Sequence, residues 1–260
     1  MFPGFQQFPE GQIIGFALIF LRIIAFVIAW PIFGTNSVPI PIKVLLALVL
    51  TVVIFPTASF QNVELVKIND QLIMLAFREI VIGLFLGFML KFFFFSISVA
   101  GELMGVSSGL ASAQLFNPAM GTQSNVMEQA HLVIATLFLL AMNGHHLFIQ
   151  GLAKSFELVP VTALGMRYEG FATLSLMVQE AFLIGVKMAA PMIVAIFVTN
   201  LTMGLLGRAV PQMNVMVTSF QVTILVSILV FIVSMPLFVE EMDILARVMA
   251  EKFFNAMKVI

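Results

Sequence analysis

Residues 78 to 105 read REIVIGLFLGFMLKFFFFSISVAGELMG. Apart from Arg78, Glu79, Lys91 and Glu102 nothing in this stretch is charged, and it lies inside a longer apolar segment from about 71 to 104. At 1.5 Å per residue, roughly 20 helical residues cross the hydrocarbon core of a bilayer. A segment this long and this apolar is a helix surrounded by lipid or by other apolar protein. That reading sets the fold class as all-α and membrane-embedded.

The rest of the chain repeats the pattern. Residues 12 to 30 form an apolar run broken at Pro31, and residues 42 to 55 form a second that ends at Pro56. Pro31, Pro39 and Pro41 punctuate the linker between them. A polar connection with Glu64, Lys67 and Asp70 follows over 57–70. Further segments cover about 126–142, a shorter stretch up to Pro160, 171–206 with a kink expected at Pro191, and 213–235 ending near Pro236. About six to eight helices result, and the run at 42–55 is too short to cross alone. Lysine and arginine are spread too evenly to orient the chain.

Composition agrees. Of 260 residues, 61% are hydrophobic and 10% charged, against about 25% charged in soluble domains. Mean hydropathy is +1.12. A net charge of −1 gives no attraction to nucleic acid. The absence of cysteine removes disulfides, thiol catalysis and cysteine-based metal sites. The N-terminal MFPGFQQFPEGQ lacks the basic region of a signal peptide, so the first apolar segment is expected to stay. With 28 Phe and 18 Met but one Trp and one Tyr, the aromatic belt of a lipid-facing bundle is nearly missing.

Several charges stand inside apolar segments: Arg22, Arg78, Glu79, Lys91, Glu102, Lys187 and Arg208. Partners on the same helix would lie three or four residues away. Around Lys91 those positions are Gly87, Phe88, Phe94 and Phe95, around Lys187 Leu183, Ile184, Ala190 and Pro191, and around Arg22 Leu18, Ile19, Ala25 and Phe26. None can pair. Arg78 and Glu79 are sequence neighbours expected to point apart. An ionised side chain at mid-bilayer costs about 2.5–3.5 kcal/mol on insertion scales. Arg22, near a helix end, has the option of snorkelling to an interface. For Lys91 and Lys187 the apolar flanks point to partners from other helices or other subunits.

Two small-residue ladders stand out. Gly83 and Gly87 form one G-x-x-x-G pair, and Gly101, Gly105 and Gly109 form two more in succession. Such ladders open a groove for close approach of another helix. Between Glu102 and Glu128 there is no charge at all, and Asn117-Pro118 marks a turn. A small, polar, uncharged segment fits a pore-lining or pore-blocking loop, or a plain exterior hairpin. Leu110, Leu115, Phe116, Met120 and Met127 are the sealing candidates in it, since unbranched Met adapts to irregular gaps. At the C-terminus, Phe238, Met242, Leu245, Met249, Phe253 and Ala256 step by three or four opposite Glu240, Asp243, Arg247, Glu251, Asn255 and Lys258. This amphipathic helix can lie on a membrane, on a partner or on the chain's own core.

Nothing converges into a catalytic centre. The histidines are His131, His145 and His146; the adjacent pair is expected on different faces, with no carboxylate within a turn. Zinc needs three or four converging ligands. No serine stands in a G-x-S-x-G context and no phosphate-binding loop occurs. The expectation is no enzyme, no metal and no cofactor.

AGELMGVSSGLASAQLFNPAMG (100–121), NGHH (143–146) and PMIVAIFVTNLTMGLLGRAVPQMNVM (191–216) resemble the FliR family. Arg22, Pro31, Pro39 and the Glu79–Gly83–Gly87 spacing fit it as well, and PQMNV at 211–215 is the most specific match. Lys43 departs from the arginine expected in many relatives. The resemblance covers essentially the whole chain. It implies a core subunit of the flagellar type III protein export gate in the bacterial inner membrane and flagellar basal body. Its partners would be FliP and FliQ, then FlhB and FlhA, with unfolded flagellar proteins as cargo. It implies a FliP-like part (about 1–170, plug loop about 105–127) joined to a FliQ-like hairpin with the amphipathic helix (about 171–260). These would sit in a spiral hetero-oligomer standing largely above the bilayer. By the same resemblance the plug comprises Gly109, Leu110, Phe116, Asn117, Pro118, Met120 and Gly121. Subunit contacts are expected at Glu79, Lys91, Glu102, Lys187, Arg208, Gln212 and Asn214. A virulence-type export homologue is the near rival, from which PQMNV leans away. A self-contained secondary transporter is the distant one, because the halves show no internal repeat.

Overall fold

A computed structural model of the chain describes residues 10–31, 38–57, 65–109, 125–161, 169–210, 212 and 214–257. Among the described residues there are seven helices and no strand. They are α1 (Glu10–Ala29), α2 (Ile40–Ile54), α3 (Leu65–Ser107), α4 (Val126–Ala141), α5 (Gly144–Leu158), α6 (Glu169–Ala209) and α7 (Val215–Met257). Four are long and apolar enough to cross a membrane, over Gly11–Ala29, Leu72–Ser107, Thr173–Ala209 and Val217–Met257; the count is five if the broken pair α4 and α5 makes one span. The 15-residue α2 is not among them, as its length predicts.

Local signals place most ends. α1 stops before Pro31, α2 starts on Pro39 and Pro41 and stops before Pro56, and α5 stops before Pro160. Asn125 caps α4, its side chain accepting the Met127 N–H at 3.1 Å. Asn143 divides α4 from α5 in a left-handed conformation, φ 56°, one that asparagine tolerates better than most residues. Gly109 follows α3 at φ +75°, the usual glycine stop for a helix. Asn125→Ala is expected to destabilise the protein by about 1 kcal/mol, the usual value of such a cap. Thermal unfolding in detergent checks it, with the exposed Asn214→Ala as comparison.

Pro236 acts differently from the sequence expectation. Pro191 lies within the continuous α6, and Pro236 within the continuous α7. The run at 213–235 and the amphipathic C-terminal segment are therefore one 43-residue helix. A proline removes a single i→i−4 hydrogen bond, and beyond Pro236 the same helix is held by the buried Phe238, Met242 and Leu245. α3 also begins at Leu65, inside the stretch read as a polar connection.

The chain divides into two compact units. One comprises Met1–Phe92, Asn143–Met177 and Met249–Ile260, the other Phe93–Met142 and Val178–Val248. In the first, α1 packs against α2, with Phe16 and Phe55 rings 5.7 Å apart. Its core holds Ile19, Ile23, Phe26, Trp30, Ile82, Leu86, Leu152 and Phe253. The core of the second holds Ile97, Ala100, Ala135, Leu139, Met188, Met192, Met242 and Leu245. All six apolar positions of the C-terminal stripe, from Phe238 to Ala256, are buried at 4% exposure or less, so that face packs on the chain's own core.

Both glycine ladders work inside the chain. In the first unit a Cβ at Gly83 would collide with the Arg22 carbonyl oxygen, and one at Gly87 would stand 2.5 Å from the Ala29 Cβ. In the second, a Cβ at Gly101 would lie 2.5 Å from the Glu128 Cα, and one at Gly105 would overlap the Asn125 carboxamide. The ladders seat α1 and the start of α4 on α3 at backbone distance, as small-residue spacing allows.

Candidate functional site: buried charges and open faces

The charges sort into two sets, those satisfied within the chain and those left facing outwards. Arg22 heads the first. Its side chain is fully buried, so it does not snorkel. Nε donates to Glu79 Oε2 at 2.5 Å and Nη2 to Oε1 at 3.0 Å, a bidentate pair between α1 and α3. Nη1 donates to the Ser155 carbonyl at 3.0 Å and its hydroxyl at 3.2 Å, and Nη2 also reaches the Val159 carbonyl at 2.9 Å. The guanidinium lies 4.3 Å from the Phe156 ring centroid. The end of a helix is short of donors for its carbonyls; here the cation supplies the Val159 carbonyl and adds to the Val159 N–H on the Ser155 carbonyl, at the end of α5 where the helix dipole also favours it.

Arg78 joins this node. Its Nη1 stands 3.5 Å from Glu79 Oε1 and donates to the Pro160 carbonyl at 3.2 Å. Adjacent residues on a helix diverge at Cβ, but the long arginine stem curls back toward the end of α5, so this pair meets after all. Glu79, expected at a subunit contact, is fully buried and finds its partners inside the chain. Three helices are thus tied at one point, and Gly83 lets α1 and α3 approach closely enough to do so.

The second unit holds a smaller polar set. Ser98 of α3 donates to Glu128 of α4. Glu102, exposed, shares a shallow groove with Ser98, Val99, Leu103 and Glu128. His131 is buried, its Nδ1 2.6 Å from the Met127 carbonyl, with its ring against Phe231 and Phe238. His145 and His146, expected on different faces, have ring centroids 4.2 Å apart. They lie in the first turn of α5. No group of three or more metal-type ligands occurs among the described residues.

The outward set is Lys91, Glu102, Lys187, Arg208, Gln212 and Asn214, all exposed. Asn214 also caps α7, receiving the Val217 N–H at 3.4 Å. Lys91 and Lys187 form no ion pair among the described residues. Of the expected plug residues, Gly109 closes α3; Leu110, Phe116, Asn117, Pro118, Met120 and Gly121 lie outside the described residues. Sequence reading missed the Ser98–Glu128 bond and the carbonyls of Ser155 and Val159, because neither a lone Ser nor a backbone oxygen leaves a mark in a side-chain pattern.

Long apolar helices, charges locked into a buried knot and apolar faces left open define a helical membrane protein. Residues 13–249 match the family model described as bacterial export proteins, family 1, and the chain belongs to that family, the one that contains the FliR proteins. Among its relatives are three called flagellar biosynthetic protein FliR. That of Aquifex aeolicus is 30% identical over 88% of each chain, that of Bacillus subtilis 32% over 85% of each, and that of Escherichia coli 31% over 89% of this chain and 91% of its own.

Proposed function

We propose that the chain is a core, non-enzymatic subunit of the flagellar type III protein export gate, helping to form and to plug the channel for unfolded flagellar proteins. Family membership across 13–249 carries this reading, and the relatives named above are flagellar. FliP and FliQ are the neighbours, with FlhB and FlhA further out, in the bacterial inner membrane at the flagellar basal body. The chain takes its place in a spiral hetero-oligomer, with a FliP-like part over about 1–170 and a FliQ-like hairpin over about 171–260. The faces available to neighbours support this. The most apolar window of Val217–Met257 is only 17% buried, and Leu225, Ile232 and Val233 are at least 60% exposed. Glu102, Lys187, Arg208, Gln212 and Asn214 supply polar contacts on such faces.

The plug is assigned to about 105–127. A seal that passes polypeptide yet holds back ions must deform and carry no fixed charge; Phe116 and Met120 are its sealing side chains, with Gly109 and Gly121 its hinges. Deleting 110–120 should leave the complex with FliP and FliQ assembled while the membrane leaks small ions. Co-purification and membrane conductance read the two halves of this statement. Normal assembly with conductance at the background of intact cells would remove the plug assignment; failure of the undeleted chain to co-purify with FliP and FliQ would remove the gate assignment.

A further inference from the structure

The two sides of the uncharged stretch between Glu102 and Glu128 meet at their roots in the second unit. The chain leaves α3 at Gly109 and enters α4 at Asn125. Residues 110–124, if extended, would span roughly 50 Å, so their length does not oblige the two ends to touch. They touch because α3 offers glycine twice. A Cβ on Gly101 would stand 2.5 Å from the Glu128 Cα and 3.2 Å from its Cβ, and one on Gly105 would overlap the Asn125 carboxamide. Ser98 Oγ donates to Glu128 Oε1 across the same contact. Ala100, Met104, Asn125, Met127 and His131 are buried around it, at 7% exposure or less. On α7, the Phe231 and Phe238 rings lie 5.1 Å and 4.6 Å from that of His131 and hold α4 in place. Gly109 ends the junction at φ +75°, a conformation suited to glycine, while a Cβ there would stand 3.6 Å from the Phe220 ring, an ordinary contact. Conformation, not space, requires glycine at that point.

We propose that this α3–α4 junction is the fixed root that positions the plug, so that opening of the channel leaves Gly101 seated on Glu128 and Gly105 on Asn125. The inference rests on the plug reading above and names the residues of that region that stay in place. Parting α3 from α4 would break the Ser98–Glu128 bond and open a void among five buried side chains. A close-packed interior resists such a void, because its lining loses contacts and burial together. Rotation about the backbone of a glycine meets no such resistance. Gly101, Gly105, Asn125 and Glu128 are therefore positioning residues: they set where the loop begins and ends and take no part in the seal.

The test locks the junction in the full chain, in cells, within its complex. The chain has no cysteine of its own, and the 3.2 Å between the two Cβ positions is near the roughly 3.5–4.5 Å of a disulfide. Gly101→Cys with Glu128→Cys makes the lock; Gly105→Cys with Asn125→Cys takes its place if the first chain does not co-purify with FliP and FliQ. Export of a flagellar protein is measured after oxidation and again after reduction, with the cysteine-free wild type treated alike. The locked chain should export within twofold of its reduced form. A larger fall that reduction reverses overturns the proposal, and so do cysteines that stay free under the oxidant. Gly101→Val gives the converse, since its side chain meets the Glu128 backbone and must push α4 off α3. Membrane conductance should rise at least tenfold while FliP and FliQ still co-purify, with Gly101→Ala as the milder variant if they do not. Background conductance in that intact complex overturns the positioning role. Deletion of 110–120 keeps the two failures apart. A deletion that leaks, beside a lock that stops export, sinks this inference alone; a deletion that does not leak removes the plug and this inference with it.

Discussion

Arg22→Ala is expected to destabilise the protein by about 3–5 kcal/mol, the usual effect of breaking a buried ion pair. The substitution takes the bidentate partner from the Glu79 carboxylate at zero exposure, the donor from the Val159 carbonyl, and one of two donors from the Ser155 carbonyl, which keeps the Val159 N–H. Arg78, at 3.5 Å from Glu79, remains as the only cation near it among the described residues. Lysine is a poor replacement, because one ammonium cannot reproduce a fork that serves two carboxylate oxygens and two carbonyls. Pairing Arg22→Met with Glu79→Leu should recover only part of the loss, since it removes the stranded carboxylate but leaves the buried Arg78 without its partner. Steady-state protein in the membrane and thermal unfolding in detergent measure these effects. An Arg22→Ala protein as abundant and as stable as the wild type would show that the knot does not hold the unit together.

The second large effect is expected at Gly83. Its missing Cβ is the space taken by the Arg22 carbonyl oxygen and, 2.9 Å away, by the Ala25 Cβ. Backbone cannot rotate out of the way as a side-chain tip can, so Gly83→Val must push α1 off α3. Overpacking of this kind costs about 1–3 kcal/mol, and displacement of Arg22 from Glu79 adds to it. Gly204 is the control: a Cβ there meets nothing within 4 Å, and Gly204→Ala should leave the melting temperature of the isolated chain level or slightly raised, alanine being the better helix former. Equal melting temperatures for Gly83→Val and Gly204→Ala would mean that the α1–α3 contact is loose.

Much of the helical layout was legible because its signals are local. Apolar runs and prolines at helix ends act within a turn or two of where they stand. The three- and four-residue stepping of Phe238 to Ala256 predicted one apolar face but not what covers it, and the spacing of Gly83–Gly87 and Gly101–Gly105 predicted close helix contacts. Pro236 misled, because one lost backbone hydrogen bond is a small local cost in a 43-residue helix that is buried beyond it at Phe238, Met242 and Leu245.

What the sequence alone determined is therefore the class, an all-helical membrane protein, together with the faces of its helices, since both follow from composition and from periods of a few residues. What each face meets was decided by the tertiary structure. Glu79 lies 57 residues from Arg22, and the Ser155 and Val159 carbonyls lie 133 and 137 away; no search three or four positions along one helix could find them. Lys91 looked the same as Arg22 by that search, yet one is sealed in a knot of three helices and the other stands open at the end of an apolar groove. The difference arises because burial and ion pairing depend on which helices meet in space, and a side-chain pattern along one helix carries no record of its neighbours.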